Sequence, residues 1–195
     1  MDIQELEYHY RVIDMILSMH SKLRDDNQNF ALAINLLLLC SSVVLSTLVF
    51  IDPAVLKFLR IAPQISQITI GVCSTLVFVI SLIELRVDWK QAAERHSQAC
   101  EVLARLKAEC REILKSNSQP DPQRVADQCK MCAQTLTTLP KIPDTKFPAL
   151  KAYHKGKVEL SKMIDAHPGA PIWMLRLVLQ LRAIRNLISS AGARP

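Results

Sequence analysis

Glycine is scarce in this chain, 4 of 195 residues. A backbone cradle for phosphate needs glycines so that N–H groups can close around the anion. No G-x-x-x-x-G-K-[S/T] run occurs, and G-x-S-x-G and H-E-x-x-H are missing as well. Those absences remove the common phosphate loop, nucleophile elbow and zinc-protease helix. No enzyme activity, catalytic residue, cofactor or metal is therefore expected. Strand alternation, internal repeats and low-complexity tracts are also lacking. Most telling is where charge is lacking. Residues 30–51 (FALAINLLLLCSSVVLSTLVFI) and 61–83 (IAPQISQITIGVCSTLVFVISLI) contain no Asp, Glu, Lys, Arg or His.

A hydrocarbon core about 30 Å thick takes roughly 20 helical residues to cross, and each uncharged run is long enough. A helix meets its own backbone hydrogen bonds, which irregular chain in lipid cannot do. Two spans are therefore expected, joined by the short link DPAVLKFLR. Residues before the first run carry both signs of charge, and no small-residue cleavage site follows it, so the first run is expected to be retained.

Basic residues set the orientation. Arg11, Lys22 and Arg24 precede the first run, and Arg86, Lys90 and Arg95 follow the second, against Lys57 and Arg60 in the link. Both termini are expected in the cytoplasm. The chain carries 24 Lys+Arg against 18 Asp+Glu, an excess suited to a surface near anionic headgroups. Its six cysteines follow no secreted framework, and those outside the spans face a reducing compartment under this topology.

The fold class expected is an all-α membrane protein, a two-helix transmembrane hairpin whose second span continues into a cytosolic helical bundle. Its parts are an N-terminal cytosolic helix (1–29), the hairpin (30–83) and the bundle (84–195). Between Gly71 and Pro120 there is neither Gly nor Pro. This predicts one rigid rod, roughly 70 Å long, leaving the bilayer at Glu84. Along it Trp89, Ala92, His96, Ala99, Leu103, Leu106 and Cys110 recur at steps of three and four, continuing to Ile113. That is a narrow seam for one or two partner helices, within the bundle or between copies. Asp121-Pro122 reads as the cap and first turn of a helix running to about Thr138. Further helices are expected over about 148–166 and 172–189. Arg176, Arg182 and Arg185 rule out a third span, each costing roughly 2.5–3.5 kcal/mol near mid-bilayer. The last helix either packs on the bundle or lies in the membrane interface.

Polar residues within the uncharged runs are costly enough to need a reason. Gln64, Gln67, Gly71, Ser74 and Ser81 share one helical face, as do Asn35, Ser42 and Ser46. They either pack helices closely or border a water-filled path. Two helices cannot enclose a channel, so a path needs several copies in a ring. Gly71 is either a hinge or a point of close helix contact. Cys129-Lys-Met-Cys132 has no second pair at finger spacing. Buried thiols on one helix face are the better reading, and His96 reads as a hydrogen-bonded core histidine. Lys151, Lys155 and Lys157 with Tyr153 and His154 suit a solvated face better than a phosphate site.

The motifs WKQAAERHSQACEVLARL and LPKIPDTKFPALKAYHKGKVELSK, set after a membrane hairpin, resemble the SLATT family. Its members are two-transmembrane effector domains of bacterial conflict systems. The resemblance spans residues 25–165 and rests on Trp89, Ala92, His96, Ala99 and Leu103, then on Pro140, Ile142, Pro143, Phe147, Leu150, Lys151 and His154. It implies an anti-phage effector of the bacterial inner membrane that assembles with copies of itself into a pore. With no fused sensor in this chain, it implies a separate trigger from a nucleotide-signalling, SLOG or reverse-transcriptase partner. The partners expected are thus the lipid bilayer, a second copy and such a sensor, with no direct nucleic-acid binding. A rival expectation is a non-conducting anchor that recruits a cytosolic partner.

Overall fold

A computed structural model describes residues 3–50, 63–116 and 121–192, without the side chains of Val49, residues 63–67, Leu187 and residues 189–192. The link between the uncharged runs, with Asp52, Pro53, Lys57 and Arg60, lies outside the described residues. Among the described residues six helices follow in order: α1 (Ile3–Phe50), α2 (Pro63–Val87), α3 (Trp89–Lys115), α4 (Pro122–Thr138), α5 (Phe147–Ala166) and α6 (Ile172–Gly192). No strand occurs among the described residues.

Two departures from expectation stand out. First, the N-terminal helix is not separate, because α1 runs unbroken through Asp25, Asp26, Asn27, Gln28 and Asn29. Polar residues of this kind are only weakly disfavoured in a helix, and no Gly or Pro lies among them to stop it. Second, the expected rod is jointed at Asp88. Its φ of 43° is left-handed, a conformation that Asp tolerates better than most residues. The i→i−4 bonds persist around the joint, from Asp88 N–H to the Glu84 carbonyl (3.2 Å) and from Ala92 N–H to the Asp88 carbonyl (3.1 Å). The Asp88 carboxylate also accepts from the Gln91 N–H at 3.0 Å, so it caps α3.

The chain forms two compact units, residues 1–22 with 99–195, and residues 23–98. In the first unit the seam of α3 closes against α1 and α4. Leu103, Leu106, Cys110 and Ile113 are buried with Leu6 and Ile13 of α1 and Val125, Cys129 and Cys132 of α4. Each Leu, Ile or Val side chain among them contributes about 1.5–3 kcal/mol when taken out of water. Polar contacts fix the pairing, with Lys107 bonded to Asp14 at 2.6 Å and Ser21 Oγ 3.5 Å from Cys100 Sγ. Rising numbers on α1 thus meet falling numbers on α3, an antiparallel register.

α4 begins where Asp121 accepts from the Gln123 N–H at 3.1 Å with Pro122 in the first turn, and ends at Thr138. It meets α3 through Gln128 to Glu109 (3.0 Å) and Arg124 to Glu112 (3.5 Å). α5 rests on α1, with His154 Nδ1 3.1 Å from Ser18 Oγ and Lys22 over the Tyr153 ring at 5.6 Å. The turn HPGAP ends it, with the His167 N–H bonding back to the Met163 and Ile164 carbonyls. α6 then packs on α5, burying Leu175.

In the second unit, the Phe30 and Trp89 rings meet at 5.0 Å and 58°. Ala31 and Ala93 are buried, small side chains that allow their helices to approach. From there both uncharged runs display their apolar residues outward. Leu36, Leu39, Val43 and Val44 of α1 are exposed, as are Val72, Leu76 and Phe78 of α2.

Candidate functional site

The functional question centres on the polar residues of the two uncharged runs. Ser42 and Ser46 are exposed on α1, and Gly71 and Ser74 on α2. No heavy atom lies within 4 Å of where a Cβ on Gly71 would stand. Among the described residues nothing packs closely there. Ser81 is half-buried, and its hydroxyl donates to the Val77 carbonyl at 2.9 Å. Asn35 is half-buried and borders a cavity of about 550 Å³. Leu32 and Leu36 line that cavity from α1, and Lys90, Ala93 and Glu94 from α3. The side chains of Gln64 and Gln67 lie outside the described residues.

Two hydroxyls escaped the sequence reading. Thr47 Oγ1 donates to the Val43 carbonyl at 2.8 Å, and Thr75 Oγ1 to the Gly71 carbonyl at 2.9 Å. The signal for Thr75 was present, since it follows Gly71 by four residues and shares the α2 polar face. Each such bond gives a polar side chain a partner on its own helix. Exposed hydroxyls of this kind suit a surface that can meet lipid, another helix or water.

The α3 seam is divided between the units. Trp89, Ala92 and His96 are half-buried in the second, while Ala99, Leu103, Leu106 and Cys110 are buried in the first. The buried stretch is occupied by α1 and α4 of the same chain, so it offers no face to another copy unless the core opens.

Cys110 and Cys132 lie side by side in that core, Sγ to Sγ 3.5 Å, with the Gln128 amide 3.8 Å from Cys110 Sγ. The Cys132 S–H stabilises a thiolate on Cys110 and holds its pKa down to about 7, against the opposing pull of burial, with Gln128 helping. Cys132 moves the other way because it donates to Cys110 and is buried. Cys129 is also pushed up by burial. Only Cys110 is reached by the Gln128 amide, which breaks the symmetry of the pair. The C-x-x-C residues thus serve the core. No group of three or more His, Cys, Asp or Glu is placed to hold a metal among the described residues. His154 is engaged with Ser18, while Lys151, Lys155 and Lys157 are exposed.

The class that this architecture defines is an all-helical chain with two helices long and apolar enough to cross a membrane. No protein-family model, curated protein or solved structure matches it.

Proposed function

We propose that this protein is a membrane effector that assembles with copies of itself and permeabilises the bilayer. The supporting observation is the inverted exposure of the second unit. Its uncharged helices turn Leu, Val and Phe outward, which water would penalise and lipid would not. Among those side chains stand Ser42, Ser46 and Ser74, also outward. In a ring of copies these hydroxyls would border the conducting path, with Gln64 and Gln67 toward the end of α2 nearer the link. Both termini lie in the cytoplasm of a bacterial inner membrane on this reading. The anti-phage setting and the separate sensor rest on the two SLATT-like motifs alone.

The i→i−4 hydrogen bonds continue through Asp88, so both clustering of copies and a rearrangement of the cytosolic end would reach the spans. The rival reading is a non-conducting anchor that recruits a cytosolic partner. Ion and dye release from liposomes holding the purified protein separates the two. The effector should leak once its copies cluster, and Ser42→Leu with Ser46→Leu and Ser74→Leu should abolish leakage without abolishing assembly. Assembly with no leakage under any trigger rejects the pore and leaves the anchor.

A further inference from the structure

α6 presents two unlike faces. One packs on α5 and buries Leu175. On the other, Trp173, Leu177, Leu181, Ile184 and Ile188 follow one another at steps of four, four, three and four. At about 100° per residue they fall within an arc of about 80°. All five are exposed, from 49% at Leu177 to 68% at Ile188. A continuous apolar stripe of this kind marks an interaction surface rather than an ordinary solvated face.

Charge decides what covers it. The ionisable residues of α6 are Arg176, Arg182 and Arg185, and the helix has no carboxylate. Arg176 stands beyond one edge of the stripe and Arg185 beyond the other. None of the three arginines makes an ion pair among the described residues. A second α6 laid on this face would bring three more arginines and no acid to answer them. A bilayer with anionic headgroups answers both features, accepting the stripe at its acyl boundary and the flanking Arg176 and Arg185 at its phosphates. Tryptophan is at home in that boundary layer, and Trp173 opens the stripe.

We propose that α6 is an in-plane membrane helix whose apolar stripe enters the surface of a bilayer carrying anionic phospholipid. This docking is separate from any conduction by the spans and does not depend on it.

The full chain in proteoliposomes provides the test. Trp89→Phe leaves Trp173 as the sole tryptophan, and the difference between the natural chain and Trp173→Phe isolates the same signal should that variant fold poorly. The vesicles contain phosphatidylcholine brominated near the headgroup, with or without phosphatidylglycerol. Trp173 emission should be blue-shifted and quenched in the anionic vesicles. Changing Arg176 and Arg185 together to Gln should lower the docked-to-undocked ratio about thirtyfold and restore emission. Emission that stays water-like and unquenched in anionic vesicles overturns the proposal. So does cross-linking between chains through Leu181→Cys, in a C40S/C73S background, without lipid quenching, since a second copy would then be the occupant. Leakage measured on the same vesicles keeps the two proposals apart. Leakage without Trp173 quenching removes only the docking, and quenching without leakage after the copies have been clustered removes only the pore.

Discussion

The two units treat the same kinds of side chain in opposite ways. In residues 1–22 with 99–195, leucines and cysteines are enclosed, and polar groups reach across from helix to helix, as Lys107 does to Asp14, Gln128 to Glu109 and His154 to Ser18. In residues 23–98, leucines and valines point outward, Cys40 and Cys73 are exposed, and hydroxyls bond back to their own helix. A core in water earns its specificity from such cross-helix pairs, whereas a lipid-facing helix has to be satisfied before any neighbour arrives. Composition alone does not separate the two. Hydroxyls bond back to their own helix in both units, as Ser18 does to the Asp14 carbonyl at 3.0 Å, so the difference lies in the cross-helix pairs of the first unit and the outward apolar residues of the second.

That contrast is most open to attack at its apolar residues. Leu103 is fully buried, so Leu103→Ala should destabilise the packed unit by about 2–5 kcal/mol. Leu76→Ala, at an exposed position, should change chemical denaturation in detergent by no more than about 0.5 kcal/mol. Equal losses at the two sites would dissolve the distinction between the units. Titration offers the next largest effect. In the folded chain Cys110 ionises at about 7 rather than at the ordinary 9.0, so between those values the unfolded chain holds more protons. Stability should therefore rise with pH through that window and be lost as pH falls through about 7. Cys132, raised in the folded chain, should make stability fall again above 9.0. Melting temperature against pH tests this, and Cys132→Ala should flatten the rise by removing the donor to Cys110.

The cross-helix ion pair comes next. Asp14 and Lys107 are each about one-third exposed, so a double-mutant cycle between Asp14→Ala and Lys107→Ala should give a coupling of about 1 kcal/mol. A coupling of zero would place that contact among ordinary surface pairs. At the joint, Asp88→Ala removes the α3 cap, worth about 1 kcal/mol, and amide exchange at Gln91 should quicken about fivefold. The smallest effect is expected at Gly71. With open space around it, Gly71→Ala should leave the single chain unchanged or firmer by up to about 1 kcal/mol. Loss of self-assembly in that variant would locate a contact between copies at this position.

Much of the helical layout was legible because its signals are local. Asp121-Pro122 starts α4 and HPGAP separates α5 from α6, where the sequence suggests. The steps from Ala99 to Ile113 identified a buried face without naming its partner, because Leu6 and Ile13 join it from the far end of the chain. The joint at Asp88 was hidden by the absence of Gly and Pro, although Asp88 followed three residues later by Gln91 has the spacing of a capping box. The unbroken course of α1 went unseen for the opposite reason. A cluster of Asp, Asn and Gln resembles a loop, yet on an exposed helix face it is tolerated. The polar face of the spans was readable as a stripe, but whether it meets water, lipid or another helix depends on neighbours that a single chain does not specify.

The hydroxyls of Thr47, Thr75 and Ser81 carry one last consequence. Because each donor is already turned inward to a carbonyl of the preceding turn, a solitary copy can reside in hydrocarbon with few unmet demands. Each oxygen still retains lone pairs that a water molecule can approach. Dormancy and wetting are therefore compatible in the same groups, with no side chain obliged to exchange its proton partner between the two conditions.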